Sequence, residues 1–128
     1  MKYLLTKYTK SNFEVAVRIL RKELESEGFI IINELNVKDV FKDNLNYKLS
    51  NYKLFIVYNP LILFKGIQLD KESSLLIPFN IAIRELKNAS IRISVMNYSI
   101  AMRIFSERDL LIPASITTNK LKKVLAKF

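Results

Sequence analysis

The sequence predicts an α+β domain of two layers, an antiparallel sheet carrying a long N-terminal helix and a C-terminal helix on one face. The order is strand, helix, four strands, helix, with short helical insertions. Three observations carry this. Phe13, Val17, Leu20 and Leu24 recur at i, i+4, i+7 and i+11, one stripe of an α-helix. Residues 79–96 alternate apolar and polar with the period of two expected of a half-buried hairpin. Near the end, Leu121, Val124, Leu125 and Phe128 face one way while Lys120, Lys122, Lys123 and Lys127 face the other.

Each element follows from local chemistry. Residues 2–8 carry β-formers and read as a first strand. Ser11 is expected to cap the first helix, about 12–27, with Glu14 completing a capping box, and Gly28 to end it in a left-handed conformation. The run from Phe29 to Leu35 has no alternation, which marks a strand covered on both faces. Asn36 caps a short helix from Val37 to about Leu45, and 46–51 is a polar connection. Leu54 to Tyr58 is a second doubly apolar strand. Asn59 and Pro60 then suit the cap and first turn of a helix to about Leu69.

In the hairpin, Phe79, Ile81 and Ile83 share a face with Ile91, Ile93 and Val95, so 83 is expected opposite 91 and 81 opposite 93. Leu86-Lys87-Asn88 would be the three-residue loop, with Asn88 in the left-handed position. Ser99–Phe105 reads as a short helix and Asp109–Ile112 as a connection. Pro113 or the Thr117-Thr118 pair opens the last helix, which runs to about Lys127.

Composition restricts function more than it assigns it. A chain of 128 residues with no linker or repeat reads as one domain, 1–128. It contains no Cys, His or Trp, so a thiolate nucleophile, an imidazole base and a Cys/His zinc site are excluded. The only glycines, Gly28 and Gly66, cannot build a phosphate-binding loop, and Asp70 and Glu72 make a solvated turn. No cofactor is expected, and the chain leans away from catalysis. No secretory signal and no span of about 20 apolar residues is readable, so a cytoplasmic protein without membrane insertion is expected. The net charge is +9, of which +6 lies in residues 84–128, with nine basic and three acidic side chains. That field suits an anionic partner, although lysines near a helix C-terminus also satisfy its dipole without one.

Four short motifs fall in order: Gly28-Phe29, Glu34-Leu35-Asn36-Val37, Tyr58-Asn59-Pro60 and Leu76-Ile77-Pro78-Phe79. Together they resemble the family called domain of unknown function 302, over roughly 3–97. The resemblance implies a β-α-β(4)-α fold similar to the TATA-box-binding-protein-like architecture, and a dimer. The family's pattern has cysteines where this chain has Tyr58 and Phe79, and Asp where it has Asn36, so thiol or metal chemistry proposed for relatives has no counterpart here. Family matching points to Glu34, Asn59, Pro60 and Pro78 as ligand-binding positions. Each also has a purely structural explanation: an ion pair for Glu34, a helix cap for Asn59, turns for the prolines. Burial between apolar strand residues is expected to raise the Glu34 pKa.

The leading expectation is a non-enzymatic binding or assembly domain, homodimeric through the second apolar patch, with room for a small-molecule groove. The alternative is nucleic-acid binding across the polar hairpin face by Arg84 and Arg92, with Asn80, Ser90 and Ser94, aided by Lys120, Lys123 and Lys127. Against it, no aromatic alternates with the arginines, so a stacking platform for single strands is missing.

Overall fold

A computed structural model of the chain describes residues 3–104 and 110–128. The elements are β1 (Leu4–Thr9), α1 (Phe13–Ser26), β2 (Ile30–Asn36), α2 (Val37–Leu45), β3 (Tyr52–Tyr58) and α3 (Pro60–Leu69). A 3₁₀ turn (Lys71–Leu75) follows, then β4 (Phe79–Glu85), β5 (Ile91–Met96), α4 (Tyr98–Ile104) and α5 (Leu111–Leu125). The five strands form one antiparallel sheet in the order β1-β5-β4-β3-β2, which leaves β1 and β2 at its edges. The expected α+β fold and its element order are therefore present. Lys2, Phe105 and Asp109, which the sequence placed in the first strand, in a helix and in a connection, lie outside the described residues.

One face of the sheet is closed. Phe55, Val57, Phe79, Ile81, Ile83, Ile91, Ile93 and Val95 pack against Phe13, Ala16, Val17, Leu20 and Leu24 of α1 and Leu121, Val124 and Leu125 of α5. Burying each large apolar side chain contributes about 1.5–3 kcal/mol, so this shared cluster is what fixes both helices to the same face. Among the described residues no helix is long and apolar enough to cross a membrane.

The helix ends show the chemistry that sets them. α1 is capped by Asn12 rather than Ser11: the Asn12 side-chain oxygen accepts from the backbone of Glu14 at 2.9 Å and of Val15 at 3.4 Å. The Ser11 hydroxyl donates to the Asn12 carbonyl instead, so no capping box with Glu14 forms. At the other end Gly28 adopts φ +82°. Its N–H bonds the Glu25 carbonyl and the Phe29 N–H bonds the Leu24 carbonyl, the paired bonds of a Schellman motif, with Leu24 and Phe29 both buried. α5 begins at Leu111, two residues ahead of Pro113. A proline is tolerated in the first turn, where its missing N–H has no partner to lose.

The hairpin pairs two residues further along than its pattern predicts. Ile83 faces Ile93, Ile81 faces Val95 and Glu85 faces Ile91, so the loop is Lys87-Asn88-Ala89, with Ala89 at φ 62°. A shift of two keeps every side chain on its own face, which is why alternation could not distinguish the registers. Asn88 serves the turn through its side chain, whose oxygen accepts from the Ser90 backbone at 3.1 Å and hydroxyl at 2.6 Å.

β2 also departs from expectation. It is an edge strand, and its pairing with β3 skips Ile32, so Ile31 faces Val57 while Asn33 faces Ile56. This bulge explains the unbroken run of isoleucines without requiring cover on both sides. Ile30, Ile32 and Leu35 are 45%, 55% and 45% exposed. Of the two strands read as apolar on both faces, β3 alone is an inner strand, with Phe55 and Val57 buried in the core and Leu54 and Ile56 half-buried on the other face.

Candidate functional site

The open face of the sheet is built by the residues that alternate with the core. Register places them in rows that run straight across the strands. Tyr8 of β1 faces Arg92 of β5, Arg92 faces Arg84 of β4, and Arg84 faces Tyr52 of β3. The next row is Thr6, Ser94, Ala82, Leu54 and Leu35. Beyond it, Leu4 faces Met96, and Asn80 faces Ile56 and then Asn33. With strands about 4.8 Å apart, the first row spans roughly 14 Å from Tyr8 to Tyr52.

Small side chains at the centre and larger ones to the sides make this face concave. A trough of about 530 Å³ is lined by Leu4, Tyr52 and Leu54 at its flanks, with Ala82 and Ser94 at its floor and Asn80 and Met96 further along the same two strands. Pro78 and Tyr98 line it as well, at the end away from the arginines. Burial pushes the Tyr98 phenol up to about 12, against a hydrogen bond with the Asn80 backbone. Among the described residues, Arg84 and Arg92 are the only charged ones lining the trough.

The two arginines are half-buried, and neither takes part in any of the ion pairs among the described residues. The Arg92 guanidinium lies over the Tyr8 ring, 5.9 Å from its centroid, and its buried Nε finds no hydrogen-bond partner among the described residues. The face therefore presents two adjacent positive charges between two aromatic rings. Tyr8 and Tyr52 are the residues that sequence reasoning missed. Their parity within each strand was readable, but their neighbours depend on β1 docking beside β5 and β3 beside β4.

The family-matched positions are not brought together. Glu34 projects from the opposite, helix-covered face, opposite Phe55 on β3. It is ion-paired to Arg21 and to Lys53, the latter at 2.9 Å, while Arg21 also lies 5.1 Å from the centroid of the Phe55 ring. Burial alone would push the Glu34 carboxyl up, but the hydrogen bonds and charges of Lys53 and Arg21 hold it below the usual carboxylate range. This corrects the expected rise and makes Glu34 a structural tie between α1, β2 and β3.

Asn59 is buried and caps α3, accepting from the backbone of Leu61 at 3.1 Å and Ile62 at 3.3 Å. Its amide also donates to the Glu27 carbonyl at 3.2 Å, joining the start of α3 to the end of α1. Pro60 is the first residue of α3, and Pro78 alone of the four touches the trough.

The lysines of the nucleic-acid alternative lie elsewhere. Lys120, Lys123 and Lys127 belong to α5 and its C-terminal end, on the helix-covered side of the sheet, with the Lys120 amine 3.9 Å from Glu27. They do not extend the Arg84–Arg92 surface. Among the described residues no group of three Asp or Glu could hold a metal ion. The partly open cavity between Ile62, Met102, Leu110 and Pro113 measures about 20 Å³, room for about one water.

Comparison with known proteins adds a family and a fold. The sequence matches the family described as Domain of unknown function DUF302 over residues 5–128. The structure is similar to the crystal structure of an uncharacterized conserved DUF302 protein from Bacillus stearothermophilus, with a TM-score of 0.90. That likeness covers 99% of this chain and 98% of the other at 13% identity, and so speaks to fold alone. No curated protein matches the sequence.

Proposed function

We infer, from the premise that this chain belongs to the DUF302 family, that it is a single-domain cytoplasmic binding protein rather than an enzyme, working through the trough on the open face of its sheet. The observation that carries this is the Arg84–Arg92 pair. Two like charges directly opposite on neighbouring strands oppose folding, and no acid among the described residues offsets them. An anionic group placed between them removes that repulsion. Among the described residues the lining of the trough holds no carboxylate, and the Tyr98 phenol stays protonated near neutral pH, which favours binding over acid–base chemistry.

The test is to map small-molecule binding onto backbone amides by NMR, using a panel of anionic and neutral compounds. Shifts at Ala82, Arg84, Arg92 and Ser94 are expected. A panel that moves only helix-side amides, or none, overturns the proposal.

A second reading concerns assembly. The half-exposed Ile30, Ile32 and Leu35 on β2 favour a homodimer that packs these side chains against a second copy. Light scattering after size exclusion checks it, and a strict monomer at high concentration rejects it. Nucleic-acid binding has less support, because the lysines that would lengthen the basic surface sit on the far side of the sheet.

A further inference from the structure

We propose that the trough takes a small amphipathic anion, with a carboxylate or phosphate head at Arg84 and Arg92 and an apolar body lying along β4 and β5 toward Pro78 and Tyr98. This rests on the reading of the trough as the working surface and names what it holds.

Charge fixes the head. Both arginines of the trough stand in one row, at one end, and no other described residue that lines it is charged. Two guanidiniums side by side offer parallel N–H donors to one anionic group, the arrangement that binds carboxylate and phosphate most strongly. The buried, unpartnered Arg92 Nε is a donor left over by the fold itself.

The rest of the trough fixes the body. From the arginine row to the row of Asn80 and Met96 is four residues of strand, roughly 13 Å. Along that path the flanks are Leu4 and Leu54, the floor is Ala82 and Ser94 followed by Asn80 and Met96, and Pro78 and Tyr98 line the far end. A volume of about 530 Å³ is the size of small-ligand sites in general. A nucleic-acid strand would need cations repeated along its path, and among the described residues they line the trough in one row alone.

The experiment is calorimetry on the full chain with decanoate, decyl phosphate, decanol, inorganic phosphate and a mixed-sequence single-stranded oligonucleotide, each amphiphile below its micelle concentration. Decanoate or decyl phosphate is expected to bind best, and whichever is tighter identifies the head group as carboxylate or phosphate. Arg84→Gln and Arg92→Gln should each weaken that ligand about ten- to a hundredfold, the effect of losing one charged hydrogen bond. Ala82→Phe, which fills the floor, should abolish amphiphile binding.

Equal affinity for decanol and decanoate overturns the proposal, as does unchanged binding by both arginine variants. Tighter binding of the oligonucleotide than of either amphiphile overturns it in favour of nucleic acid. If no amphiphile binds while other compounds shift the open-face amides, the ligand class is wrong and the trough remains the working surface. If no compound shifts those amides, both fall together.

Discussion

Arg84 and Arg92 face each other in direct register across β4 and β5, and no acidic side chain among the described residues pairs with either. Like charges so placed cost a few tenths to about 1 kcal/mol. Arg84→Gln is therefore expected to stabilise the protein by that amount, read as a higher urea midpoint at unchanged slope. A lower midpoint would mean that packing of the arginine stem outweighs the repulsion.

Glu34 acts with the opposite sign. Its native carboxyl keeps its charge at a pH where an unfolded one would be protonated, so its contribution is complete above the ordinary glutamate range. That contribution is lost as pH falls through the lowered native value. Urea unfolding across a series of acidic pH values should show stability falling more steeply in the wild type than in Glu34→Gln. At neutral pH Glu34→Gln should cost about 1 kcal/mol, since the partners are partly exposed. Equal stability at neutral pH would show that the ties to Arg21 and Lys53 hold nothing together.

Asn59 makes two separable contacts. Asn59→Ala removes the α3 cap and the bond to the Glu27 carbonyl together and should cost about 1–2 kcal/mol. Asn59→Ser keeps a capping oxygen and loses the amide donor to Glu27, so it should recover part of that loss. Thermal melts of the two variants decide the matter, and a silent alanine variant would remove the capping role.

Tyr98 gives the trough an optical reporter. Burial raises its phenol to about 12, so the neutral form's stabilising contribution is complete below the ordinary tyrosine range and lost as pH rises through that value. Ultraviolet titration of the folded protein should show a phenolate step near pH 12 that Tyr98→Phe lacks. A difference step at ordinary tyrosine pH would place Tyr98 in solvent.

Much of the fold was legible because it depends on neighbours in sequence. The Phe13–Leu24 stripe, the caps at Asn36 and Asn59, the left-handed Gly28 and the alternation of β4 and β5 each follow from a short window. What escaped depends on docking. The bulge at Ile32 made an edge strand read as an inner one, and the hairpin register slid by two because both pairings keep the same faces. The site divided in the same way. The arginines were visible as a polar face, but the tyrosines beside them come from strands distant in sequence. Glu34 and Asn59 stood out by motif, yet an ion pair and a helix cap account for both.

The break in pairing at Ile32 reaches beyond a single molecule. A straight outer strand is an invitation to add another, copy upon copy, until a ribbon grows. Here the border is crimped: hydrogen-bonding groups on either side of Ile32 fall out of step with any regular newcomer. The bulge therefore keeps β2 from serving as a template on which the sheet could continue unbroken.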